Sequence, residues 1–345
     1  MRILCYTDNH FSEKSSIVTK YGTKYTVRLE NQIKSLNWAE ELAKQQKCDA
    51  IVCLGDFFDH AHLTDQELTA LQDIKWAEDL DHFFLVGNHE SGENDLQYSS
   101  TMALSRPGFQ IITEPCMMFA EDLGLAYLPY VVESNKKPLV EYFNATTPKR
   151  IIFSHNDLLG IQLGPVTSKT GFAPEEIEAS CDLCVNGHLH NGTKVSDKII
   201  NLGNLTGKDF GEDALRYSHN VIIIDSSPIK GLTYELIENP YAFNFYKLDI
   251  NEETDITMLL SLKDNAVVSA KCKASLVPLV RQALEENPKI IDSRVIVTRD
   301  FTETAEDEAD ISVLLVDQCA KFAECCRAKI DNNAILEAEL AEILK

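Results

Sequence analysis

The chain has 345 residues, with 32 lysines and arginines against 54 aspartates and glutamates, a formal charge of −22. That length accommodates one large domain and a smaller one, and no run is long and apolar enough to predict a membrane span. The acidic balance excludes a protein that holds nucleic acid by overall charge: any polyanion it meets must be drawn in by bound cations, a local basic patch or a partner.

Met1 leads directly into an apolar run, with no basic stretch and long apolar core before it, so no secretory signal is expected. Residues 2–7 read as a buried strand ending at Asp8-Asn9-His10. Residues 27–46 read as an amphipathic helix, with Leu29, Ile33, Leu36, Ala39 or Glu40, and Leu42/Ala43 near helical spacing. A second strand, 50–54, runs into Gly55-Asp56-Phe57-Phe58-Asp59. Thr64 is a predicted N-cap with Glu67 as its capping-box partner, opening a helix over 65–80. A third strand, 82–86, precedes Gly87-Asn88-His89-Glu90, and 109–132 reads as several short strands. Two further strands, 150–153 and 182–185, run into Ser154-His155-Asn156 and Gly187-His188-Leu189-His190. Strands at 199–202, 220–225 and 233–237 follow. Strands alternating with helices predict an α/β architecture with helices outside a β core.

Asn239-Pro240 is a breaker. Beyond it lie predicted strands at 244–250, 265–273 and 294–298 and a helix at 276–286, a small β-α-β unit. The acidic stretch 302–310 reads as a solvated linker. Ile311, Leu314/Leu315, Cys319, Phe322 and Cys325/Cys326 then form an apolar helical stripe, and 332–344 a last short helix. The expected domains are therefore 1–240, 241–301 and 302–345. Ten cysteines are scattered, several inside apolar patterns, which fits reduced thiols in the cytoplasm; Cys181 and Cys184 read as strand-entry residues rather than a zinc knuckle.

Six of the nine histidines lie in or beside the five motifs, which share one placement, immediately after a strand. Loops at the carboxyl ends of strands collect on one sheet edge, so all five can converge. Aspartate, asparagine and histidine together suit hard and borderline divalent ions. Two such ions can clamp a phosphoryl group if one ligand is shared, and Asp56 is the expected bridge, because a carboxylate has two oxygens and a charge that screens the metals from each other. His82, His219 and Glu90 read as structural, and His60 and His62 as exposed loop residues.

In order and wording the motifs resemble those of the calcineurin-like metallophosphoesterases: D-x-H, GDxxD, GNH[DE], H and GHxH. The resemblance implies a β-sandwich flanked by helices over 1–240 and two divalent ions, Mn²⁺ foremost. Asp8, His10, Asp56 and His190 would hold one ion, and Asp56, Asn88, His155 and His188 the other. His89 would face the scissile phosphate as the catalytic acid, Asp59 would orient His89, and a water activated by the metal charge would attack. Asp59 is followed by His60-Ala61 rather than the Arg-Gly of the phosphoprotein phosphatases. The layout after His190 is similar to that of SbcCD-type nuclease subunits, especially the shorter bacteriophage ones. It implies a cap over 241–301 that touches DNA, a C-terminal helix docked on an ABC-type coiled-coil ATPase, and a homodimer through helices near 64–80 and 94–105. The expected function is thus a two-metal DNA exonuclease/endonuclease of a recombination or repair complex, in the cytoplasm of a cell or of a phage-infected host. Two alternatives stay open: a small-molecule phosphodiesterase or phosphatase, and a non-catalytic scaffold subunit.

Overall fold

The structure, a computed structural model, describes residues 1–92, 95–120, 123–143, 151–163, 166–227 and 231–298. Two six-stranded sheets lie face to face. Numbering strands along the chain, the first runs β16(Gly231–Glu238), β15(Asn220–Ser227), β1(Arg2–Tyr6), β2(Ala50–Cys53), β3(Asp81–Leu85), β6(Phe109–Ile112). The second runs β13(Thr193–Lys194), β14(Ile199–Asn201), β12(Leu183–Asn186), β9(Ile151–Ser154), β8(Leu123–Leu128), β7(Cys116–Ala120). In the first sheet β1, β2, β3 and β6 pair in parallel and β15 and β16 add antiparallel pairings; in the second β14, β12, β9 and β8 pair in parallel, with β13 and β7 antiparallel at the edges. Two small hairpins, β4(Ser91–Gly92) with β5(Asp95–Ser99) and β10(Gln162–Leu163) with β11(Val166–Thr167), lie beside them.

Alternation along the strands builds the layers. Ile3 and Cys5 of β1, with Val52, Phe83 and Leu85, face the second sheet and its Leu125, Tyr127, Phe153 and Val185. Leu4 and Tyr6 face outward and are covered by helix α1(Val27–Gln45) through Leu29, Ile33, Leu36, Ala39 and Ala43. Short helices α3(Leu139–Tyr142) and α4(Pro174–Ser180) cover the outer face of the second sheet. The result is helix, sheet, sheet, helix, in which parallel strands buried on both faces read as continuous apolar runs. The α/β sandwich expected from the sequence is the fold observed.

Two local expectations fail for tertiary reasons. The Thr64 cap and its Glu67 partner are present, but α2(Asp65–Ala70) ends early and passes through a 3₁₀ turn, Leu71–Asp73. Side chains of α1 capture the backbone beyond it: Asn37 accepts from Lys75 N at 2.6 Å and donates to Asp73 O at 3.3 Å, and Glu40 accepts from Ala77 N at 2.7 Å. Among the described residues of 94–105 there is no α-helix; β5 runs into a 3₁₀ turn, Ser100–Leu104. Glu40 also accepts from buried His82 Nε2 at 3.0 Å. Glu40→Ala strips the acceptor from two buried donors and is expected to cost about 2–4 kcal/mol, read as a lower denaturant midpoint at unchanged m-value.

The rest of the described chain forms a three-stranded parallel sheet, β17(Asn244–Ile250), β18(Ala266–Lys273) and β19(Ile290–Thr298). Its crossovers are a 3₁₀ segment, Glu253–Ser261, and α5(Val277–Glu286), so the unit has two crossovers rather than the single one of a β-α-β motif. Leu248, Val268, Ala270, Val280 and Leu284 form its own small core. Phe245 and Val267 at the strand entries pack on Phe210, Phe243 and Val18 of the main body. The linker and helices expected over 302–345 lie outside the described residues. No helix among the described residues is long and apolar enough to cross a membrane.

Candidate metal centre

β1, β2 and β3 of one sheet and β9 and β12 of the other end at the same edge, and the motif loops meet there. The first two loops stay zipped beyond their strands, with Asp8 N donating to Gly55 O and His10 N to Asp56 O, both at 3.0 Å. Gln32 of α1 clamps the first loop, donating to Asn9 O at 2.8 Å and His10 O at 2.6 Å. Glu90 ties the second loop to the third, accepting from Phe58 N at 3.0 Å and Gly87 N at 2.8 Å, a structural role. The glycine of the third motif is required for close approach: a Cβ on Gly87 would run into the Asp56 carboxylate.

Backbone strain concentrates on the donors. Six non-glycine residues among those described have left-handed φ, and four of them are Asp8 (51°), His10 (46°), Asp56 (46°) and His188 (74°). Each such residue costs about 1–3 kcal/mol and persists only where its surroundings enforce it, typically at functional sites.

The side chains form two donor sets. Ligand atoms of Asp8, His10 and His190 lie within 4.8 Å of one another, as do those of Asp56, His155 and His188. Asp56 sits between the sets, its Oδ2 3.3 Å from His155 Nε2 and 3.9 Å from His10 Nε2. Asn88 Oδ1 joins the second set, 2.9 Å from His188 Nδ1. All seven residues expected as ligands therefore meet in one place.

Several contacts make sense only with cations between the donors. His10 Nε2 and His190 Nε2 face each other at 2.9 Å, while carboxylates occupy the Nδ1 side of both rings. Asp8 Oδ1 and His155 Nδ1 are buried without a hydrogen-bond partner, and His155 Nε2 meets only Asp56 Oδ2, at 3.3 Å. Buried polar groups are otherwise almost always partnered, so these orphans fit divalent cations, and the nitrogen and oxygen donors suit the hard-to-borderline class. Charge points the same way. Burial works against a charge on His155, yet Asp56 and Asp8 outweigh it and lift its pKa to about 9, so the carboxylates favour a cation there and a metal would displace the proton. Burial brings His10 down to about 4 against the pull of Asp59, leaving it neutral, the form a ligand needs.

Carboxylates behind the histidines fix their orientation. Asp59 Oδ1 lies 2.9 Å from His10 Nδ1, Glu212 Oε1 3.0 Å from His190 Nδ1, and Asp157 Oδ1 3.3 Å from His188 Nε2. Holding the far nitrogen fixes the tautomer and raises the basicity of the near one. Glu212→Gln is expected to weaken metal binding at its set by about 10–100-fold, measured against a competing chelator. Glu212 and Asp157 were not anticipated. Glu212 lies well beyond the end of β14, too far for the rule that found the five motifs to reach it. Asp157 stands two residues after His155, where side chains of a strand-end loop can share a direction.

His89 lies outside both sets. Its side chain is 38% exposed, and its Nδ1 is 3.1 Å from the Asp59 carbonyl and 3.4 Å from the Asp59 carboxylate. Asp59 does touch His89, but the tighter contact is the backbone one. Its carboxylate is shared with His10 and with Lys208 Nζ at 2.7 Å; His10 first, then His89 and Lys208, hold Asp59 ionised despite burial. His10, Asp59 and His89 also cluster, yet Lys208 already supplies a cation there, so the group orients rather than binds. The Asp59 hydrogen bond raises the pKa of His89. His60 is half-buried, 3.3 Å from Glu67, rather than exposed as expected; His62 is exposed.

The family model for calcineurin-like phosphoesterases matches residues 1–192. The chain belongs to the calcineurin-like phosphoesterases. Solved structures with a similar fold include a dimetal phosphatase from Danio rerio (14% identity, 69% of this chain and 99% of that one, TM-score 0.38). Others are TT1561 of Thermus thermophilus (12%, 68% and 98%, TM-score 0.39) and Yfce, a phosphoesterase from E. coli (13%, 69% and 100%, TM-score 0.32). No curated protein matches the chain. Its family hydrolyses phosphoesters with divalent metals, and the donor sets above are the candidate residues to hold them.

Proposed function

We propose that this phosphoesterase is a DNA nuclease, cutting phosphodiesters as the catalytic subunit of a recombination or repair complex. The observation that carries the reading is the open face of the small sheet. Lys247, Lys271, Lys273 and Arg294 all fall on the face opposite α5, in register rows where Lys247 pairs with Ser269, Ser269 with Arg294, and Asp249 with Lys271. Asp249 and the partly buried Asp292, which contacts Lys20, are the acids on that side. A chain of charge −22 thus carries a local cationic patch on its small sheet, of the kind that a polyanion requires.

When bound, the metals supply Lewis-acid polarisation of the phosphate and an activated water. The chain does the rest. Asp59 grips His89 by Nδ1 and leaves Nε2 to hold a proton for the departing oxygen. Asp8, Asp56 and the carboxylate-backed histidines keep the donors in place without rearrangement, so the charge developing on the phosphate meets a prepared site.

The same reading includes Mn²⁺, the cytoplasm, an ABC-type coiled-coil ATPase as partner and a homodimer. Leu68, Tyr98 and Met102 are exposed apolar residues on the segments assigned to the dimer. The stripe assigned to the ATPase lies in 311–326, outside the described residues. The net charge favours a second reading, hydrolysis of a small phosphodiester. The deciding assay is degradation of linear double-stranded DNA with Mn²⁺, with and without a co-expressed ATPase. Cleavage supports the nuclease. Turnover of cyclic nucleotides without DNA cleavage supports the second reading, and an ATPase complex with neither activity supports a scaffold.

A further inference from the structure

Beside the catalytic pair is a cavity of about 380 Å³ that the mechanism above does not use. Lys14, Ser15 and Ser16 of the loop after the first motif form one wall, and Arg28 of α1 and Lys208 the other. Asp59 is part of the lining, so the cavity shares a wall with His89; Asp209 is the other acid in it. Arg28 is the unusual member. It is 4% exposed, and its Nη1 donates to Gly207 O at 3.0 Å. No carboxylate makes an ion pair with it among the described residues; Asp59, Glu212 and Asp209 act on it only from a distance. A guanidinium withdrawn from water without a counter-ion is costly, and its planar fork matches a phosphate. The acids do not fill that role, since Asp59 is already paired with Lys208 and Asp209 accepts from Gly211 N.

The wall opposite is built to stay in place. Ser12 Oγ donates to buried Glu67 at 2.8 Å, Ser12 N to Gln32 at 3.1 Å, and Ser15 Oγ accepts from Val18 N at 3.2 Å. Ser16 also lines a smaller void of about 150 Å³ that reaches Arg294. The cavity is thereby linked to the cationic face of the small sheet.

We propose that this cavity is a second phosphate subsite, in which Arg28 and Lys14 hold a phosphate one linkage away from the one being cut. The inference rests on the phosphodiesterase reading and narrows it: the substrate carries at least two phosphates, and the subsite sets which linkage reaches the metals. That neighbour is a backbone phosphate in a nucleic acid strand, or an anhydride-linked phosphate in a dinucleoside polyphosphate.

The test compares three substrates on the full chain with Mn²⁺: bis(p-nitrophenyl) phosphate, an oligodeoxynucleotide and a dinucleoside polyphosphate. Lys14→Gln alters an exposed side chain and Arg28→Lys keeps the charge while removing the fork. Each is expected to raise KM for the oligonucleotide about tenfold, the effect of roughly 1.4 kcal/mol of lost binding, while kcat/KM on the single-phosphate ester stays within about twofold of wild type. Selectivity lost on the dinucleoside polyphosphate alone would keep the subsite and reject the nuclease. Equal losses on all three substrates, or no loss on any, would overturn the subsite. A readout free of turnover is a tungstate soak of wild-type crystals: anomalous density at Arg28 is expected, and its absence counts against the subsite whether or not Arg28→Lys folds.

Discussion

Asp56→Ala leaves a protein that holds at most one metal per chain and has lost phosphodiesterase activity. Asp56 is the residue common to both donor sets: one oxygen lies near His155 and His10, and the other accepts from His89 N at 3.0 Å. Its loss therefore removes a bridging ligand and frees the backbone of the catalytic histidine together. Metal content by mass spectrometry is the direct check, and two full equivalents in the variant would reject the bridge. Stability gives a second check. A ligand that binds only the folded chain stabilises it by about 2.7 kcal/mol at a hundredfold excess over its Kd. Wild type should therefore melt higher when Mn²⁺ is added, and Asp56→Ala should lose most of that increment. Raising Mn²⁺ should not restore activity, because what is missing is geometry as well as affinity.

His89→Ala is expected to lower kcat by about 10²–10⁴-fold while metal content is unchanged. The ring contributes to neither donor set, and at 38% exposure its removal opens no core cavity. The backbone N–H that Asp56 uses survives the substitution. A proton donor matters most when the leaving oxygen is a poor one. The loss should therefore be large on DNA, whose leaving group is an alkoxide, and small on p-nitrophenyl esters, whose leaving group departs unprotonated. Equal losses on both would mean that His89 acts on the phosphate itself, and loss of metal would make it a ligand.

The metal centre was legible because each donor stands within a few residues of a strand end and is chemically unambiguous. Parallel strands then deliver such loops to one edge without further information. The residues that orient the donors were less legible. Glu212 and Lys208 reach the site from the long loop after β14, and nothing nearby in sequence marks them. Helix lengths failed for a related reason. The segment after Ala70 has helix-compatible residues, but Asn37 and Glu40, some forty positions away, offer its backbone better partners. Short-range pattern sees caps and periodicity; it does not see competition from a distant side chain.

The left-handed backbone at Asp8, His10, Asp56 and His188 also limits how this centre can diverge. Asp, Asn and His are the non-glycine residues that tolerate that region best. At these four positions the donor alphabet is restricted by conformation before any metal is considered. A drift toward thiolate ligands, and so toward softer metals, would strain the chain at the very positions it altered. Only Asn88, His155 and His190, with ordinary φ, are free to change donor type, so a descendant with a new metal preference would carry its substitutions there.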